Sequence, residues 1–314
     1  MGWLLSSLMS LVRQFKGATI ARRPVVADPP AIFPKELRLI ERVVVTDQVY
    51  ETLFNDFAAH RDTERGEEEI GWVILGLRHE SHVVVLAALP AGAQREASLT
   101  HVFFNSDAQA PATRFLRQAD KRLIILGVVH THPGSLRHPS GGDYQGDIRW
   151  VRQLRGKEGV FGIGTADART DHREVTRIEP HQHVRGPLLF NWYVLAEDDS
   201  RYRRVNVEIA LGPDLARPLQ PLWSTLEHHA RGIDRLWQQQ TGVKMEILGE
   251  GEEQALAFTI SMPSRKRSIR VLLNEGSSRY YLEEDGGLFE IDPDAENLEQ
   301  GVYLILAKLA QRDG

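Results

Sequence analysis

The chain has 314 residues, 42% hydrophobic and 26% charged, with 26 Gly and 15 Pro, a length suited to roughly two globular domains. Its formal charge of −5 excludes a global basic field that would gather nucleic acid or an anionic membrane. Cysteine is absent, which excludes disulfides, a thiol nucleophile, iron–sulfur clusters and thiolate-bound zinc, and leaves any metal to the 12 His and the carboxylates.

Residues Gly2–Phe15 place Trp3, Leu4, Leu8, Leu11, Val12 and Phe15 on one helical face. This segment reads as a docking helix, with a membrane-surface or partner-binding helix as the alternative. No basic residues precede it, so a secretory signal is not expected. No apolar run approaches the ~20 residues of a transmembrane helix, and cytoplasm is the expected compartment. Pro24, Pro29, Pro30 and Pro34 make Arg22–Lys35 an extended linker, closing a first region at 1–36.

From Leu37 the pattern alternates. Leu37–Val45 predicts a strand, and Thr46 or Asp47 caps a helix with Val49, Leu53 and Phe57 on one face. Gly71–Leu77, His82–Leu89 and Leu99–Asn105 are strand-like, Ala112–Lys121 is helical, and Leu123–Val129 reads as a buried strand. A helix follows Asp143 through Ile148, Val151 and Leu154. Val160–Gly164, Val175–Ile178 and Trp192–Ala196 continue the sheet. Together, 37–210 make one α/β domain with a mixed sheet. A small α+β domain is expected over 213–314. Its first helix carries Leu222, Leu226, Ile233 and Leu236. Strands follow at Met245–Leu248, Ala257–Met262, Ile269–Asn274 and Arg279–Glu283, then a helix at Leu298–Gln311.

The chemistry concentrates in Leu126–Trp150. A buried strand ends in His130-Thr131-His132-Pro133, and side chains two apart on a strand point the same way. Both imidazoles can therefore meet one point. A loop rich in Gly and Pro then leads to Ser140-Gly141-Gly142-Asp143, where Asp143 can supply a third ligand. Two His and one carboxylate form a usual catalytic zinc set with the fourth position left to water, whose pKa falls to about 7. His181-Gln182-His183 has the same spacing but no such context, and reads as packing. Asp147 shares a helical face with Asp143 and reads as a surface charge, with a supporting partner of the ligand set as the alternative.

The spacing His130-Thr131-His132, seven residues, Ser140, two residues, Asp143 resembles the JAMM (MPN+, JAB-type) zinc metalloprotease motif. The stretch 37–200 is similar to the bacterial deubiquitinase-like branch, including Pro139–Asp147 and the Gly-rich run 159–164. That family also needs an upstream Glu. Within Glu67-Glu68-Glu69-Ile70-Gly71-Trp72-Val73-Ile74-Leu75-Gly76, alignment on the closing Gly selects Glu69, and alignment on Gly71 selects Glu68. Strand alternation separates the two, and Glu69 keeps the register of Trp72–Leu75. Trp72 stands where many relatives carry Gly.

The resemblance implies an α/β fold with a JAMM-type, cytidine-deaminase-like mixed sheet flanked by helices. It implies one zinc per chain held by His130, His132 and Asp143, with Glu69 as general base and Ser140 as hydrogen-bond donor to the oxyanion or water. Ser140 is equally suited to cap the following helix. The implied reaction is cleavage after the C-terminal glycine of a ubiquitin-like protein, by deconjugation or precursor processing. Such proteins often accompany ubiquitin-like activating and conjugating proteins, including those of antiphage operons. A catalytically silent scaffold binding partners through its C-terminal domain, and a zinc hydrolase of small amides, are the alternatives.

Overall fold

Strand β1 (Arg42–Thr46) starts at Arg42 rather than at Leu37 because the preceding backbone is held by other partners. Arg38 N–H donates to the Glu80 carbonyl, and Ile40 N–H to Glu158 Oε2 at 2.7 Å. The structure, a computed structural model, describes residues 36–92, 106–167, 178–249, 251, 254–262 and 266–313. The expected helix in 2–15, the linker and the Leu99–Asn105 strand lie outside these residues, as does all of Val175–Ile178 except Ile178.

Helix α1 (Asp47–Arg61) buries Val49, Leu53, Phe54 and Phe57. Thr46 precedes it but makes no capping bond, because its hydroxyl donates to the carbonyls of Val85 and Pro213. Strands β2 (Gly71–Arg78) and β3 (His82–Pro90) form an antiparallel hairpin. Helix α2 (Ser106–Ala119) starts ahead of the expected Ala112 and includes Pro111. Then come β4 (Ile124–Thr131), α3 (Gly141–Val151), β5 (Glu158–Thr165), β6 (Gln182–Arg185), β7 (Leu188–Ala196), β8 (Arg203–Arg204) and β9 (Asn206–Ala210).

Among the described residues these strands form one mixed sheet in the order β6-β7-β5-β4-β2-β3-β1-β9, with β8 paired to β7. Strand β4 lies at its centre, antiparallel to β2 and parallel to β5. Gly127 permits this contact, since a Cβ there would lie 1.6 Å from the Val160 carbonyl oxygen. Side chains alternate between two cores. Trp72, Ile74, Val129, Phe190 and Trp192 pack with α1 on one face. Val73, Leu75, Val128, Phe161 and Ile163 lie on the other, with α2.

A 3₁₀ turn (Arg217–Leu222) leads into α4 (Trp223–Gln239), then an antiparallel meander of β10 (Val243–Leu248), β11 (Ala255–Met262), β12 (Arg267–Asn274), β13 (Ser277–Glu284) and β14 (Gly287–Ile291), and finally α5 (Leu298–Asp313). The buried cluster of the α2 face continues through Leu226, Ile233 and Leu236 of α4 into Phe258 and Val271, so both sheets share one apolar core. Each such buried side chain contributes on the order of 1.5–3 kcal/mol. No helix of the described residues is long and apolar enough to cross a membrane.

Candidate metal centre

Strand β4 delivers His130 and His132 at its C-terminal end, where the sheet stops and the loop to α3 begins. The ladder continues one residue past the strand, His132 N–H donating to the Gly164 carbonyl at 2.8 Å. Gly164 must lack a side chain here, since a Cβ would come within 2.6 Å of the Phe190 ring and 3.0 Å of Thr131 Cγ2. Both His are buried, and their Nε2 atoms lie 3.1 Å apart.

Asp143 arrives from the other side, on the first turn of α3. Ser140 is the N-cap: its Oγ accepts the Asp143 N–H at 3.2 Å, while its own N–H donates to Asp143 Oδ2 at 2.5 Å. This reciprocal capping box contributes about 1 kcal/mol and aims the carboxylate at the His pair. Asp143 Oδ1 lies 3.5 Å from His130 Nε2, and Oδ2 lies 3.5 Å from His132 Nε2. Ligand atoms about 2.0–2.2 Å from a tetrahedral ion are separated by roughly 3.3–3.5 Å, so this donor set fits zinc. His132 Nδ1 pairs with the Leu136 carbonyl at 2.7 Å, an arrangement that assigns the proton to Nδ1 and leaves Nε2 as the ligand atom. Burial alone would raise the Asp143 pKa, but hydrogen bonds from His130 and His132 hold it well below the usual carboxylate range. Burial opposes the positive charge on His132, yet Asp143, the Leu136 carbonyl and the charge of Glu69 together raise its pKa.

Glu69 precedes β2. Gly71 pairs with His130, and continuing that antiparallel register sets Glu69 opposite His132, on the same face of the sheet. Glu69 is 3% exposed. Glu68 instead turns to Arg65, with a 2.5 Å ion pair.

Residues 51–178 match the family described as prokaryotic homologs of the JAB domain. The match supports a JAB-domain assignment for this segment. The matched segment contains Glu69, His130, His132, Ser140 and Asp143. No curated protein matches the chain. Among solved structures, the chain is similar to protein DSY2949 from Desulfitobacterium hafniense, at 15% identity and a TM-score of 0.36, over 54% of this chain and 94% of that one.

Further residues surround the donor set. Asp147 is not a surface charge. It accepts the Tyr202 hydroxyl at 2.7 Å, and burial pushes its pKa up to about 7. Its position one turn beyond Asp143 was the available signal, but Tyr202 lies 55 residues away. The loop carrying Leu136 is clamped at Arg137, whose guanidinium meets Asp167 at 3.0 Å and whose carbonyl accepts the Tyr193 hydroxyl at 2.8 Å. Nothing in the sequence marks that triplet. His181 and His183 pack against rings, His183 against Tyr50 and Trp192, and His181 against Tyr193.

Proposed function

We propose that the chain is a zinc-dependent peptidase or isopeptidase that cleaves after the C-terminal glycine of a ubiquitin-like protein. In this reading it serves a bacterial conjugation system of the antiphage kind, beside activating and conjugating proteins. The observation that carries the hydrolytic part is the convergence of His130, His132 and Asp143 at tetrahedral spacing inside a JAB domain. The substrate class is supported by the family resemblance of residues 37–200.

His130, His132 and Asp143 would hold one zinc ion. Bound there, zinc polarises the scissile carbonyl and lowers the pKa of the attacking water to about 7. Glu69, on the same face as His132, takes the water's proton and passes it to the leaving amine. The Ser140 oxygen accepts the Asp143 N–H, which leaves its own proton to donate to the developing oxyanion. One side chain thus both caps α3 and serves the reaction.

The test combines metal analysis with cleavage of a ubiquitin-like protein fused through its C-terminus to a reporter. The expected result is one zinc per chain and scission after the glycine, both lost in His130→Ala/His132→Ala and cleavage lost to chelator. A folded protein without zinc or cleavage would instead be a silent scaffold. Hydrolysis of small amides with the fusion left intact would point to a small-molecule hydrolase.

A further inference from the structure

A cleft of about 320 Å³ opens where the start of β2 meets the end of β3, between α1 and the 3₁₀ turn that begins the C-terminal region. Ile70 and Gly71 line it, so it begins one residue from Glu69. His60, also in its wall, contacts the Glu68 carbonyl through Nε2 at 3.0 Å and ties the end of α1 to the turn that delivers Glu69. Cleft and candidate metal centre therefore lie at the same end of the sheet, where β2 starts and β4 stops.

Its remaining polar side chains are Asp56, from α1, and Gln220, from the 3₁₀ turn, and among the described residues no Arg or Lys lines it. Asp56 Oδ2 accepts the Trp72 indole N–H at 3.0 Å. Among the described residues Oδ1 has no hydrogen-bond partner and no Arg or Lys pairs with the group. Burial raises the carboxyl's pKa; the Trp72 bond partly offsets this, and the nearby charge of Asp214 adds to it. Asp214 itself is satisfied by the Thr52 hydroxyl and the N–H groups of Ala216 and Ala88. Asp56 is not. The Trp72 bond accounts for one carboxylate oxygen, and the other is left to the cleft.

We propose that this cleft receives a basic side chain of the substrate, arginine in preference to lysine, held by Asp56 with Gln220 as a second acceptor. A guanidinium offers five donors in a planar fork and is weakly hydrated, which suits two acceptors in a cleft whose lining includes the apolar Trp223, Pro90 and Ala91. The proposal takes its substrate sense from the hydrolytic reading of the adjoining site, but the binding it describes needs no catalysis.

The test is calorimetric titration of the full chain with N-acetyl-arginine methylamide and with its neutral isostere, N-acetyl-citrulline methylamide. The arginine compound is expected to bind at least tenfold more tightly, and Asp56→Asn to erase the difference. Asn keeps an acceptor for Trp72, and the comparison in the unaltered chain stands even if the variant folds poorly. Equal affinities for the two compounds, or a preference that survives Asp56→Asn, would overturn the assignment. Preferential arginine binding by a chain that cleaves no fusion would support the cleft and refute only the hydrolytic reading.

Discussion

Thr131 Oγ1 accepts the backbone N–H of Ile70 at 3.0 Å, and Thr131 N–H returns a bond to the Ile70 carbonyl at 2.9 Å. A hydroxyl thus takes the place of a ladder carbonyl where β2 begins, and it pins the residue beside Glu69 from between the two His. Thr131→Val keeps the shape but leaves a buried N–H without its partner, at a cost of about 1–3 kcal/mol. Urea unfolding should show that loss. Fusion cleavage should fall at least tenfold with zinc content unchanged, and Thr131→Ser should restore both. Zinc loss in the Val variant would mean that Thr131 supports the His pair instead.

Glu69→Gln removes the proposed base without touching the donor set. Cleavage should drop by roughly 10²–10⁴-fold while zinc stays bound. Glu68→Gln removes the charge from the partly exposed pair with Arg65, worth about 0–1 kcal/mol, and should leave the rate alone. The reverse ranking would transfer the role to Glu68.

The donor set was legible because His130, His132, Ser140 and Asp143 lie within one short segment whose strand alternation and capping geometry are local. The order of the main buried strands was less so, and the edges least. Strands β6, β9 and β14 are short and partly exposed, so they carry no long apolar run. Asp147 shows the general difficulty: its partner Tyr202 is remote in sequence, and burial of a carboxylate depends on what folds over it.

Glu158 shows the same non-locality in a stabilising role. It is 4% exposed and meets Arg78 at 3.3 Å, Arg203 at 2.5 Å and the Ile40 N–H at 2.7 Å, joining β2, β5, β8 and the chain before β1. Glu158→Ala strands the buried Arg78 guanidinium and should cost about 3–5 kcal/mol. Replacing both, as Glu158→Met/Arg78→Met, should recover most of that loss in urea unfolding. A double variant as unstable as the single one would show that the pair itself, rather than the orphaned charge, sets the cost.

His183 gives the fold an acid-sensitive point. It is buried on β6 between the Tyr50 and Trp192 rings, and burial pushes its pKa down to about 4 from 6.5. Between those values the unfolded chain takes up a proton that the folded chain refuses. Stability is therefore full above pH 6.5 and falls by about 3 kcal/mol as pH drops to 4. His183→Phe keeps a ring between Tyr50 and Trp192 and removes the titration. Urea unfolding at pH 7 and pH 4.5 should show a smaller difference for the variant than for the unaltered chain. An undiminished difference would place the acid sensitivity in another group.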